Sequence, residues 1–322
     1  MSMDDEAFKL SICIPTYNQA SSICALLDAL SLQYVPEIEI IIRDDSTNED
    51  TKKVVQKFQD VLPIRYYHGQ REGLDSAIIF LTGQARGEFV WWIGDDVISP
   101  FAIKEILSIL NKNKSISFLW INSSDIYDSK KLTCKNEHSS FFKDKNDVLR
   151  QLDIGLLGFI TATIFKREIG VKSLEDAKEY IGSAFVCMYI VLYVITRGGA
   201  NYYAGDSFFS SYPKPPGEVR WYDQTQVFGI SLFNIANVFR GDFDASVLKN
   251  ALSKNLSMVL KAIFVERAMG LQTGFAAGNK KIFSLGYIYW NYLNFYKILP
   301  LVILPIPVAK MLYRFIKFIR DQ

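Results

Sequence analysis

Histidine is nearly missing from this chain of 322 residues: only His68 and His138 are present. A metal site built on several histidines is excluded, and proton-transfer chemistry falls to carboxylates. Cysteine is sparse too. Cys13, Cys24, Cys134 and Cys187 stand far apart with no C-x-x-C pair, and residues 1–6 are polar and acidic where a secretory signal would be apolar. Both features predict a reducing, cytoplasmic setting. Net charge is low, at +2, which gives no bulk electrostatic case for a nucleic-acid partner. Long apolar runs are also lacking. Residues 180–196 carry no charge but include Gly182, Ser183, Cys187 and several tyrosines, so they read as a buried helix and not as a membrane span. Residues 298–309 are apolar but broken by Pro300, Pro305 and Pro307, too short to cross as one helix and suited to an interface.

What is present is apolar and aromatic material: 49% hydrophobic and 14% aromatic residues, enough for a sizeable core and for a membrane-facing segment. The first hundred residues alternate two periodicities. Short apolar runs at 9–14, 38–42, 64–67 and 89–93 predict strands; residues 20–32, 50–58 and 74–85 predict helices, the first with Ile23, Leu26, Leu27 and Leu30 on one face. Strands alternating with helices of this length pair in parallel through right-handed crossovers, so the fold class is α/β with a doubly wound, mostly parallel sheet. In such sheets ligands bind beyond the carboxyl ends of the strands.

Polar residues gather at those ends. Pro15-Thr16-Tyr17-Asn18 follows the first strand, Asp44-Asp45-Ser46-Thr47 the second, and Asp95-Asp96 the fourth. Each alone reads equally as a turn, a helix cap or a solvated loop. Together, at one edge of one sheet, they predict a binding crevice. A dehydrogenase is excluded by the missing G-x-G-x-x-G after the first strand. A pyrimidine base needs a flat apolar slot and an acceptor for its ring N–H, which Tyr17 and Asp45 can supply. A diphosphate facing Asp95 and Asp96 needs Mg²⁺ or Mn²⁺ between the like charges, a hard cation in an all-oxygen site.

The runs SICIPTYNQ, IEIIIRDDSTNEDT and GEFVWWIGDDV, in this order across residues 9–97, resemble the nucleotide-binding half of inverting family 2 glycosyltransferases of the GT-A fold. The stretch EGLDSAIIFLTGQARGEFVWWIGDD is most similar to the abequosyltransferase-like branch of bacterial O-antigen and capsule assembly. The resemblance implies a catalytic domain over residues 9–222, with a nucleotide-sugar half at 9–115 and an acceptor half at 116–222, followed by a helical, membrane-associating extension at 223–322. It implies transfer of a hexosyl or deoxyhexosyl group from a nucleotide sugar to a hydroxyl of a lipid-linked glycan or polysaccharide. It places Pro15, Thr16, Tyr17, Asn18, Asp44 and Asp45 in the base and ribose pocket, Arg71 and Asp75 at its far wall, and Asp95 with Asp96 at the metal and sugar phosphate. Gly94 and Val97 stand where many relatives carry acids, so the metal site is lean and Asp96 is the expected direct ligand. The general base is expected at Asp176, within Glu175-Asp176, with Glu179 as the alternative. A second alignment sets Gly182-Ser183 at the family's acidic pair, which leaves no base there. A catalytically inactive, membrane-associated nucleotide-sugar binder is the rival reading.

Near the C-terminus, Val308, Met311, Leu312, Phe315, Ile316 and Ile319 recur at helical spacing while Lys310, Arg314, Lys317 and Arg320 take the other face. A basic amphipathic helix beside the aromatic run Tyr287 to Tyr292 predicts docking to an anionic bilayer, at the inner face of the plasma membrane in a peripheral protein. The alternatives are packing on the catalytic domain or on a second subunit of a homo-oligomer.

Overall fold

In the computed structural model, which describes residues 8–211, 222–271, 274–275 and 281–320, the chain divides into two units. The first takes the described residues up to Val148, Leu156–Gly182 and those from Val186 to Ser211; the second takes Leu149–Gly155, Ser183–Phe185 and the described residues from Tyr222 onward.

In the first unit the apolar run LSICIPT forms β1 (Leu10–Thr16), and α1 (Ala20–Ser31) buries Ile23, Leu26, Leu27 and Leu30, as the spacing predicts. Next come β2 (Ile38–Asp44), α2 (Asp50–Gln56), β3 (Ile64–His68), α3 (Leu74–Gln84) and β4 (Phe89–Trp92), with bounds shifted by one or two residues from those expected. Beyond them lie β5 (Val97–Ile98), α4 (Ala102–Lys112), β6 (Ile116–Asp125), β7 (Asp128–Leu132), β8 (Ser140–Phe141), α5 (Lys145–Gln151, assigned to the first unit only as far as Val148), β9 (Thr163–Lys166), α6 (Arg167–Gly170), α7 (Leu174–Ala177), α8 (Val186–Arg197) and β10 (Ala200–Ser211).

One sheet collects these strands in the order β3, β2, β1, β4, β9, β6, β10, β5, with β7 added to β6 and β8 to β10. β3, β2, β1 and β4 run parallel, as do β6 and β10; β9 lies antiparallel between β4 and β6. The sheet is therefore mixed: β1 to β4 pair in parallel, as the alternation predicts, and β6 and β10 run the same way, while β9, β5, β7 and β8 run against them. The chain leaves β1 for β2 and β3 on one side and returns to β4 on the other, so the strand order reverses beside β1. A crevice opens at such a reversal.

Burial on both faces explains the sequence of the central strands. Trp91 and Trp92 are both fully buried, and successive strand residues point to opposite faces. The Trp91 indole N–H donates to the Thr161 carbonyl at 2.8 Å; that of Trp92 donates to Thr82 Oγ1 on α3 at 3.2 Å.

The uncharged stretch 180–196 becomes helical only from Val186, as α8, and α8 is a buried helix with Val186 to Leu192, Val194 and Ile195 all inside. Its first turn is tied to α3 by Asp75. That buried carboxylate accepts the Val186 N–H at 3.1 Å and the Gly182 N–H at 2.9 Å. A negative group at a helix N-terminus is doubly favoured, by the free N–H groups and by the helix dipole.

The second unit contains α9 (Leu232–Val238), α10 (Ala245–Ala268), α11 (Ile282–Ile288), α12 (Leu293–Ile303) and α13 (Ile306–Arg320). α10 buries Leu248, Leu252, Leu256, Val259, Leu260 and Ile263 along one stripe, and α12 and α13 both pack on it. Asn294 Nδ2 donates to Ser257 Oγ at 3.0 Å, and Arg267 Nη2 to the Leu304 carbonyl at 3.3 Å. The chain bends by 110° between α12 and α13. Pro300 sits inside α12, while the break falls at Leu304 and Pro305. No single described helix is long and apolar enough to cross a membrane.

Removing the Asp75 carboxylate leaves α8 without its N-terminal acceptor. Asp75→Ala is expected to destabilise the chain by about 1.5–3 kcal/mol, the range for hydrogen bonds to a charged group. The measurement is the urea unfolding midpoint; an unchanged midpoint would show that the tie contributes nothing.

Candidate functional site

The ends of β1 and β2 are locked together by short side-chain bridges. Asn18 takes a left-handed backbone, φ +53°, which asparagine tolerates better than most residues. In that turn its N–H donates to Ser46 Oγ at 2.7 Å and its Oδ1 accepts the Thr47 N–H at 3.1 Å. The Asp45 N–H donates to the Thr16 carbonyl at 3.0 Å, extending the β1 to β2 ladder past the strands.

The adjacent acids of the β2 end have different partners. Asp44 is fully buried; Oδ1 accepts the Ser46 N–H at 2.9 Å and Oδ2 accepts the Tyr66 hydroxyl at 2.5 Å. Burial, and then the hydrogen bond to Asp44, push the Tyr66 hydroxyl well above the usual phenol range, so it stays a donor. Asp45 is also buried. Oδ1 accepts Arg43 Nε at 2.9 Å, and Oδ2 accepts the N–H groups of Glu72 and Gly73 at 3.0 and 3.2 Å. Three of a carboxylate's roughly four acceptor positions are thus engaged, and what they fix is the loop between β3 and α3. Gly73, at φ +86°, has a backbone that a side chain would strain.

That loop carries Arg71, whose guanidinium lies 4.3 Å above the ring of Tyr17, with Nη1 3.5 Å from its hydroxyl. Tyr17 is partly exposed, and beside it Thr16 Oγ1 is buried with no hydrogen-bond partner among the described residues. A buried hydroxyl without a partner costs free energy unless something binds it. The β1 end therefore holds an unsatisfied hydroxyl just below the surface, beside an aromatic face.

At the β4 end, the Ile93 N–H donates to the Cys13 carbonyl at 3.0 Å, which holds Gly94 to Asp96 next to β1. Thr161, just before β9, is fully buried. Its hydroxyl donates to Asp96 Oδ2 at 2.5 Å and accepts the Gly94 N–H at 3.1 Å. Asp96 is thereby fixed from both sides of its own loop, while Asp95 is exposed. Among the described residues no three His, Cys, Asp or Glu side chains converge on a point. Two adjacent carboxylates still fit a hard cation that takes its other oxygens from a bound diphosphate and water. The nearby Cys13 thiol is pushed far up by burial, and that of Cys187 up to about 12, so neither is a thiolate nucleophile near neutral pH.

The predicted residues fall into two groups. Pro15 to Asn18, Asp44, Asp45 and Arg71 are joined by the contacts above, and Asp95 and Asp96 follow the neighbouring strand. Asp75 binds the Gly182 and Val186 N–H groups. Glu175, Asp176 and Glu179 lie exposed in or after α7, Glu175 paired with Lys178 at 2.6 Å, and no hydrogen bond or ion pair among the described residues links them to the strand ends. Gly182, the alternative position, is the one joined to Asp75. Sequence reasoning missed Thr161, Arg43 and Glu72. Thr161 precedes a four-residue strand with no periodic signal, and Glu72 acts through its backbone.

Residues 11–169 match the family model for glycosyl transferase family 2. An uncharacterised glycosyltransferase of Rickettsia typhi is 28% identical over 160 residues, 48% of this chain and 47% of that protein. The GalNAc(5)-diNAcBac-PP-undecaprenol beta-1,3-glucosyltransferase of Campylobacter jejuni is 35% identical over 91 residues, 27% of this chain and 29% of that protein. The matches thus span less than two thirds of these relatives' own lengths. Among solved structures, Staphylococcus aureus TarS 1–349 in complex with UDP-GlcNAc superposes with a TM-score of 0.63 at 18% identity, over 88% of this chain and 82% of that one. At that identity the likeness speaks for the fold. The strand-end motifs, the sheet order and the family match agree: over residues 11–169 this chain is similar to glycosyl transferase family 2.

Proposed function

We propose that this chain is a glycosyltransferase that takes a sugar from a nucleoside-diphosphate donor and passes it to a hydroxyl of a lipid-linked glycan or polysaccharide. The observation that carries this reading is the convergence of Tyr17 with its unpartnered neighbour Thr16, Asp45, and the Asp95–Asp96 pair at the strand-order reversal of a domain similar to family 2. The structural neighbour binds UDP-GlcNAc, and the Campylobacter and Staphylococcus aureus relatives are named for transfer to an undecaprenol-linked glycan and to poly(ribitol-phosphate). The motif likeness to O-antigen and capsule enzymes supports a hexose or deoxyhexose as the group moved.

In this reading Tyr17 flanks the base and Arg71 covers its far side, moving from the tyrosine face it occupies in the free chain. Asp45 uses its remaining acceptor position for the base N–H, and Thr16 Oγ1 meets the ribose or base edge. Asp96, oriented by Thr161, and Asp95 would hold Mg²⁺ or Mn²⁺, which when bound supplies positive charge against the leaving diphosphate; a distant structural neighbour contains GDP-Man and Mn²⁺. In an inverting transfer the acceptor oxygen bonds to the anomeric carbon as the bond to the phosphate oxygen breaks. The hydroxyl proton then goes to a carboxylate, for which Asp176 is the candidate.

Thermal unfolding against UDP, CDP, dTDP and GDP sugars with Mn²⁺ tests the donor class; at 100 times its dissociation constant a true donor adds about 2.7 kcal/mol. No stabilisation by any of them would overturn the reading. Binding without turnover of any acceptor would instead favour the inactive binder. Asp96→Ala should abolish transfer while the chain stays folded, with stability lowered by about 1.5 kcal/mol through the lost Thr161 bond; activity within a few-fold of wild type would remove Asp96 from the metal site.

Thr161→Val should raise the Mn²⁺ concentration needed for half-maximal activity by about 10-fold, a charge-assisted bond of roughly 1.5 kcal/mol lost from Asp96. Thr161→Ser should restore it. Equal metal requirements in all three forms would show that Thr161 serves packing alone.

A further inference from the structure

From Arg267 to Arg320 the sequence holds no aspartate or glutamate and eight lysines or arginines. The helices in this stretch leave large apolar side chains in the open. On α11 and the turn after it, Phe283 is 88% exposed, Tyr287 83% and Trp290 67%; on α12, Leu293, Tyr296 and Ile303 are exposed; on α13, Met311 is 69% and Phe315 60% exposed, with Val308, Ile316, Phe318 and Ile319 beside them. Phe295, Val302 and Ala309 are buried on the same helices, so α12 and α13 have already satisfied their inward faces. The remainder is an apolar surface of a kind that soluble monomers seldom expose. Lys310, Arg314 and Lys317 are exposed at successive turns of α13, and Lys297 stands on α12.

We infer that the α11 to α13 face is a docking surface for an anionic lipid bilayer, with the α13 stripe and the α11–α12 aromatics entering the interface and the cations reaching headgroup phosphates. Composition decides against a second copy of this chain. A two-fold contact sets the same patch against itself, which would bring Lys310, Arg314 and Lys317 toward their counterparts with no carboxylate on these helices to pair them. An anionic surface pairs every one of them. Trp290, Tyr287 and Tyr296 are the residue types that favour the boundary between headgroups and acyl chains, and the 110° bend lets two short helices lie along a surface where one straight span is lacking. The inference stands on the second unit alone and is independent of the transferase reading.

The test is flotation of the full chain with vesicles of mixed phosphatidylglycerol and phosphatidylcholine, and with phosphatidylcholine alone. The chain should float with the anionic vesicles, less so at high salt, and weakly with the neutral ones. Lys310→Gln, Arg314→Gln and Lys317→Gln combined should lower the partition coefficient on the order of 100-fold, at about 1 kcal/mol per cation. Phe315→Ser should lower it at low and high salt alike. Far-UV circular dichroism and unfolding temperature confirm that the variants fold. Absence of the wild type from the floated fraction would overturn the proposal. So would a lipid-free dimer in analytical ultracentrifugation that Phe315→Ser dissociates, since that places a second copy on this face.

Discussion

Strand β1 is hydrogen-bonded on both edges, to β2 and to β4, and its residues from Leu10 to Ile14 are buried on both faces. A peptide in that position can keep a polar side chain inside only where it is paired, as Ser11 is with Glu39 at 2.6 Å, and has to place open polar groups beyond its end. Tyr17 and Asn18 take up that end, and everything that meets them is drawn there by strand pairing. The β2 end delivers Asp44 and Asp45 because β2 is β1's neighbour on one side; the β4 end delivers Asp95 and Asp96 because β4 is its neighbour on the other. The crevice is therefore a product of sheet order and not of any one loop.

The adjacent carboxylates of the site show how much its geometry is built by non-catalytic partners. Asp44 is fully buried against Ser46 and Tyr66, and three acceptor positions of Asp45 are taken by Arg43 and the loop at Glu72 and Gly73. Burying such charges is favourable only when their acceptor positions are filled. The β3 to α3 loop, with Arg71 on it, is thus held by Asp45, the carboxylate that the proposed function assigns to a base, and in that proposal ligand entry would be coupled to loop position. On the other flank, Thr161 ties Asp96 to Gly94 and, through its carbonyl, to Trp91. The orientation of Asp96 is inherited from the packing of the sheet.

The parts of the molecule that could be read from sequence are those whose signal is local. Apolar runs such as SICIP and IEIII mark strands buried on both faces, Ile23 to Leu30 marks one helix face, and the polar residues stand immediately after the runs. The spacing from Val308 to Ile319 likewise gives α13. Thr161 could not be found this way, because its partners are 65 and 67 residues distant in sequence and its own neighbourhood is a short 3₁₀ turn. Asp75 resembles a pocket residue by motif, yet its bonds to Gly182 and Val186 depend on where α8 begins. The uncharged run hides that start, since residues 180–185 are as apolar as many helical ones. The acceptor half is hard to read for the same reason: β6, β9 and β10 are joined by pairings that skip over one another.

Strand β9 is four residues long and is the one described strand that pairs with both β4 and β6. A ribosome releases both of those strands before it releases Thr163–Lys166. During synthesis, β1 to β4 can assemble with one flank of β4 uncapped, and β6 likewise waits for its partner. Open flanks of this apolar kind invite pairing with other chains. β9 closes one flank of β6 and β10 closes the other only later, at Ala200–Ser211, so the order of synthesis leaves buried sheet edges open until the last strand is made.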